Sequence, residues 1–196
     1  GTSHAVPFAA GAAALLAEYL RRGFVPSGEP CAADAWREPR PATLRALVVA
    51  AAWHEGKAAN RVWTPEQGFG LVQLADLLAF RTPGASPQQR ARSLHVFEAE
   101  LVGAGAAEAH RFCFEVPPAE DGSAAARSGV TLAWSDFPAE LSAGAALVND
   151  LDLFVQCAHA PSAVLWGNGG ASADRANTVE QLLLPEPAPG EGGKER

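Results

Sequence analysis

Hydrophobic residues change their spacing near residue 85: helical before it, alternating after it. Over residues 3–22, Ala9, Ala10, Ala12, Ala13, Ala14, Leu15, Leu16, Tyr19 and Leu20 leave almost no polar side until Glu18 and Arg21, which predicts one long helix. Its alanines and Gly11 predict close approach by another backbone. Pro7 falls early, where a missing N–H costs least. Residues 23–41 are rich in glycine, proline and charge and read as a surface loop. A second helix, about 42–53, carries Leu44, Leu47, Val48 and Val49 with polar residues only at Thr43 and Arg45, and reads as buried. Gly68-Phe69-Gly70 is a turn that opens a third helix through Leu71, Leu74, Leu77 and Leu78.

Residues 81–90, Arg81-Thr82-Pro83-Gly84-Ala85-Ser86-Pro87-Gln88-Gln89-Arg90, read as a linker between a segment 1–85 and a segment 90–190. Beyond it Phe112, Phe114 and Val116 alternate with Arg111, Cys113 and Glu115. Val130, Leu132 and Trp134 alternate with Thr131, Ala133 and Ser135. Further strands are expected at about 94–102, 151–157, 162–166 and 178–184, with Gly, Pro and Asp turns between them. That spacing predicts an antiparallel β-sandwich. No internal repeat is present. The end, 185–196 and above all 191–196, reads as a low-complexity tail without structure of its own.

Composition narrows the function classes. With 48% hydrophobic residues, 196 residues can bury a sizeable core. A net charge of −7 and a pI near 5.2 argue against nucleic acid or anionic membrane as partners. No apolar stretch reaches the roughly 18 residues that a membrane span needs. Three cysteines, Cys31, Cys113 and Cys157, are odd in number and lack metal-ligand spacing. Cys113 and Cys157 both fall in predicted strands, where they either pair or stay as buried thiols.

The candidate chemistry starts at Gly1-Thr2-Ser3-His4-Ala5-Val6-Pro7. A serine hydroxyl is a poor nucleophile until an adjacent base, itself oriented by a third group, takes its proton. A helix N-terminus beneath it adds free N–H groups and a favourable dipole for an oxyanion. Read alone, Gly-Thr-Ser is equally a cloning remnant or an ordinary helix cap. The rest of the chain decides the matter. Gly1-Thr2-Ser3 with Ala5, Pro7, Ala10 and Gly11 resembles the serine motif of subtilisin-type proteases, the subtilases. Gly23-Phe24-Val25-Pro26-Ser27-Gly28, Pro41-Ala42-Thr43-Leu44-Arg45-Ala46-Leu47 and Gly68-Phe69-Gly70-Leu71-Val72-Gln73-Leu74 are similar to segments that follow that serine in one branch. Thr131-Leu132-Ala133-Trp134-Ser135-Asp136-Phe137-Pro138, Ala145 through Leu153, Gly167-Asn168 and Asp174-x-x-Asn177-Thr178-Val179-Glu180-Gln181 resemble the C-terminal sandwich of the same branch.

The resemblance implies the last helices of an α/β subtilisin-like catalytic domain, then an antiparallel, jelly-roll-like β-sandwich. It implies a serine endopeptidase acting on protein or peptide, with Ser3 as nucleophile and secretion or a vacuole as its address. The family places its aspartate, histidine and oxyanion asparagine upstream of the serine. The chain starts at the serine motif and has no methionine, so it reads as the C-terminal piece of a longer protein, inactive alone. His4, His54, His95, His110 and His159 have no family counterpart as the base and read as surface or core histidines. His4 stands where the family usually has methionine, and Val6 where it has threonine or serine. The alternative is therefore a catalytically degenerate relative serving structure or binding. The reaction requires no cofactor. Structural calcium is the cofactor that the resemblance admits: Asp150 and Asp152, beside Asn149, offer oxygens to such an ion, or else are turn residues bonding nearby amides.

Overall fold

The computed structural model describes residues 1–54, 62–86, 92–98, 109–115, 128–158 and 160–184. The first expected helix is α1 (Thr2–Arg21). It stops where Gly23 takes φ +69. The Gly23 N–H donates to the Leu20 carbonyl at 2.9 Å and the Phe24 N–H to the Tyr19 carbonyl at 3.4 Å, the paired bonds that close a helix through a left-handed residue. A side chain at position 23 would overlap the Cys31 carbonyl, so only glycine fits. The reversal lays Phe24 on Tyr19, with ring centroids 4.9 Å apart, and Phe80 meets both edge-on at 5.4 and 5.3 Å. Leu16, Leu20, Val25, Leu47 and Leu78 complete this core. The Tyr19 hydroxyl donates to the Ala79 carbonyl at 2.6 Å, and burial pushes its phenol up to about 12.

Helix α2 (Pro41–Ala50) opens on a proline, whose missing N–H no helical bond needs. Its N-terminus is capped from a distance: the Arg40 N–H, at 3.0 Å, and the Thr43 hydroxyl both donate to the Glu98 carboxylate. A carboxylate there also opposes the positive end of the helix dipole. α2 ends earlier than its apolar run predicts, because the chain turns at Ala51 into β1 (Ala52–Trp53). β1 pairs antiparallel with β2 (Leu71–Val72). The third expected helix shrinks to one turn, α3 (Leu74–Leu77), since Leu71 and Val72 are spent on that ladder.

In the second half β3 (Gly129–Ala133) pairs antiparallel with β6 (Val179–Leu183), and β4 (Phe154–Cys157) with β5 (Ala160–Trp166). The expected subtilisin-like α/β domain with a jelly-roll-like sandwich is corrected here. Among the described residues the chain forms a small domain of three helices and three separate two-stranded sheets, none closed into a barrel or sandwich.

Two diverted segments account for the difference. Residues 109–115 keep their alternation but join no ladder, and Phe112 and Phe114 stay exposed. Residues 92–98 are held by the helical half instead. Glu98 caps α2, Arg92 Nη2 sits 2.8 Å from Asp76 Oδ1, and Leu94 and Val96 pack on the aromatic core. The remainder of those two expected strands, 99–102 and Val116, lies outside the described residues, as do 87–90 of the expected linker and the tail 185–196. Two strands alone offer too little apolar surface to enclose a core. The β3–β6 ladder is covered by α2 instead. No helix among the described residues is long and apolar enough to cross a membrane.

Tyr19→Phe should destabilise the chain by about 1–2 kcal/mol, because the buried Ala79 carbonyl loses its donor while the ring packing survives. Urea unfolding followed by far-UV circular dichroism measures this, and an unchanged midpoint would remove the hydroxyl from the list of core contacts.

Candidate functional site

Ser3 is the second residue of α1, within its first turn. The helix has no side-chain cap at Gly1 and no acidic residue in its first turn, so its own first turn leaves the positive end of its dipole unopposed. The first backbone N–H groups of any α-helix lack internal acceptors. Pro7 is the sixth helical residue, past the first turn, so the Ser3 carbonyl also loses the donor that residue 7 would supply. Ser3 and its surroundings are open: every residue from Gly1 to Gly11 is exposed. Val6 is 65% exposed, Phe8 80% and Leu15 60%, on a helix whose sequence is apolar on nearly every side.

Among the described residues no histidine or carboxylate is bonded to Ser3. His4 follows it, rotated by about 100° around the helix axis. His95 and His110 are exposed, and His159 lies outside the described residues. His54 is buried, with Nδ1 3.0 Å from Gln67 Oε1 and Nε2 3.3 Å from the Val62 carbonyl, which makes it a core histidine. Among the described residues, Ser3 therefore has a helix terminus beneath it and no base bonded to it.

The second half holds the denser polar arrangement, and it joins segments the sequence singled out separately. The Asp136 carboxylate accepts from the Val148 N–H at 2.7 Å, the Asn149 N–H at 3.0 Å and the Asn149 side-chain amide at 2.8 Å. The Phe137 N–H adds a fourth donor at 2.9 Å. Trp134 Nε1, in turn, donates to the Asn149 carbonyl at 3.0 Å. Burial would push the Asp136 carboxyl up, but these donors, led by the Val148 N–H, outweigh it and hold the group below its usual value.

A second clamp forms around the turn Gly167–Gly169. Asn168 Nδ2 donates to Asp174 at 2.6 Å and to the Val179 carbonyl at 3.0 Å, and Asn168 Oδ1 accepts from the Gln181 N–H at 3.0 Å. Asp174 also accepts from Asn177 Nδ2 at 2.6 Å and from the Ala176 N–H at 2.8 Å. Here too burial works upward, and the amides of Asn177 and Asn168 hold Asp174 below its ordinary value.

Asp150 and Asp152, the calcium candidates, lie between these clamps. Asp150 is bonded to Arg175 Nη1, and Asp152 Oδ2 stands 4.0 Å from the same nitrogen. One guanidinium thus engages both carboxylates, and neither bonds a nearby amide as a turn residue would. Among the described residues no group of three or more His, Cys, Asp or Glu side chains is arranged to hold a metal ion. Cys113 and Cys157 are free and exposed, neither paired nor buried, while Cys31 is free and half-buried.

Two side chains carry more than the sequence reading gave them. Arg175 neutralises two aspartates from 25 and 23 positions away, and nothing in the local pattern marks it. Glu180 is fully buried. Its signal was present: it shares an i, i+2 face with Leu182, which is also buried. Compared with protein-family models, with curated proteins and with solved structures, the chain matches none.

Asp136→Ala should release the 147–149 segment: the Val148 and Asn149 amides lose their protection from hydrogen exchange, while the Gln181 amide, held by Asn168, keeps its own. The clamp's contribution is present above the ordinary value of 3.8 and is lost as pH falls through the lower folded value. Amide exchange resolved by residue, followed down the acid limb, measures both effects.

Proposed function

We propose that this chain carries the nucleophile of a subtilisin-like serine endopeptidase, with Ser3 attacking the scissile carbonyl of a protein or peptide. The observation that carries the reading is the position of Ser3 in the first turn of a 20-residue helix whose first turn holds no acidic residue and no side-chain cap. The Ser3 N–H would help to hold the oxyanion. Histidine and aspartate would come from polypeptide upstream of Gly1, the histidine taking the serine proton and passing it to the leaving amine. The exposed apolar flank of α1 supports the same reading, because a helix apolar on nearly every side is one that belongs inside a larger domain. So does the joining of Trp134, Asp136 and Asn149, and of Asn168, Asp174 and Asn177, which draws the resembling segments together in pairs.

A catalytically degenerate relative is the second reading, favoured by the lack of any bonded base at Ser3 among the described residues and by His4 and Val6. One experiment separates them. The 196-residue chain alone should not react with a fluorophosphonate probe. The polypeptide expressed with the coding sequence preceding Gly1 should label covalently, and Ser3→Ala should abolish the label. A folded, extended polypeptide that stays unlabelled would overturn the protease and leave the degenerate scaffold.

A further inference from the structure

Glu180 occupies a place that no part of the proposed chemistry uses. It sits mid-strand in β6, opposite Leu132 of β3, with no exposed surface. Its Oε2 accepts the Leu153 N–H at 2.7 Å, at the entrance to the β4–β5 hairpin, while Oε1 is buried without a partner among the described residues. The side chain lies against Gly167, the residue after β5, so closely that a Cβ at position 167 would overlap it. The Gly167 N–H meanwhile donates to the Leu153 carbonyl at 2.9 Å. One side chain therefore ties β6, the start of the hairpin and its end.

Among the described residues, the charges around this carboxyl are of one sign with one exception. Asp150 and Asp152 face it from the segment before β4, and Asp174 from the loop after the Gly167–Gly169 turn. Arg175 is the cation on that loop, and it is engaged by Asp150 and Asp152. β3, β5 and the Gly167–Gly169 turn contribute no acid or base, and β4 only the exposed thiol of Cys157. From α2, packed on β6, Arg45 is spent on Trp134 and Thr178. A charge on Glu180 would thus stand dry, with one donor, beside three carboxylates.

We propose that Glu180 is a proton-operated latch: neutral, it holds the β4–β5 hairpin and the Gly167 turn against β6, and ionised, it lets them part. Burial, and after it the repulsion from Asp174, Asp152 and Asp150, push the carboxyl up to about 7 from an ordinary 4.5, against the pull of the Leu153 N–H. The folded state therefore binds a proton that the released state gives up. The latch is fully closed below about 4.5 and its contribution is lost as pH rises through about 7.

Hydrogen exchange on the full chain tests this. Protection factors at Leu153 and along β4, corrected for intrinsic rates, should fall by about tenfold from pH 6 to pH 8 and then level off, while those of Leu20 in α1 hold. Glu180→Gln keeps an acceptor for the Leu153 N–H without titrating, so its hairpin protection should be flat across that range. A carbon-13 titration of the Glu180 carboxyl in the unaltered chain should show a midpoint near neutrality. Protection that stays constant in the unaltered chain, an equal fall in the glutamine variant, or a midpoint in the ordinary carboxylate range would each overturn the latch.

Discussion

Arg45 reaches out of α2 to the Trp134 carbonyl and to Thr178 Oγ1, and Gln181 returns from β6 to the Val49 carbonyl at 3.0 Å. These bonds set the helix between the aromatic core and the β3–β6 ladder, and the rest of the structure depends on them. A ten-residue helix is marginal in water by itself, and each end leaves backbone groups without partners. Glu98 serves the N-terminus of α2 from 55 positions beyond Thr43, and Gln181 serves the C-terminus from 132 positions beyond Val49. The dependence is mutual. Two-stranded ladders do not persist alone, so β3 and β6 need the helix that Gln181 caps.

Local structure was legible in the sequence where one element decides its own fate. The extent of α1 followed from its unbroken apolar run and from Gly23, which no other residue could replace against the Cys31 carbonyl. β4 and β6 fall within predicted strands, and β3 and β5 overlap theirs but start one and two residues earlier, because alternation reports which side of a strand is apolar. Alternation does not report what a strand pairs with. Phe112 and Phe114 alternate as well as Val130 and Leu132, yet join no ladder, and the sandwich inferred from all of them does not form. The helical spacing of Leu71, Leu74, Leu77 and Leu78 misled for a related reason: pairing with Ala52 and Trp53 claimed its first turn.

The candidate site divides the same way. That Ser3 opens a helix could be read from the residues after it, but what stands beside it could not. The apolar residues of α1 are the physical remainder of that gap. Leu16, Ala17, Tyr19 and Leu20 find the core, whereas Val6, Phe8 and Leu15 face solvent at more than half of their area. Each such side chain forgoes on the order of 2 kcal/mol that burial would provide. A helix whose N-terminal half is this apolar and this open is better matched to a surface than to water, and Ser3 lies at that end.

The carboxylates show what residue type alone does not report in the second half. Asp136 and Asp174 are each ringed by amide donors that outweigh burial, so both hold their charge more firmly than a free aspartate. Glu180 receives one donor in a drier place, and burial wins. Asp150 and Asp152, which look most like ion ligands in sequence, are answered by Arg175. The number of N–H groups that reach each oxygen decides among these outcomes, and that number is set by backbone turns drawn from distant segments. In ladders only two strands wide, many backbone groups have no neighbouring strand to bond. Asp136 and Asp174 bond the N–H groups of the loops between the strands, and Glu180 the Leu153 N–H at the hairpin entrance, so these three carboxyl groups hold backbone that no ladder reaches.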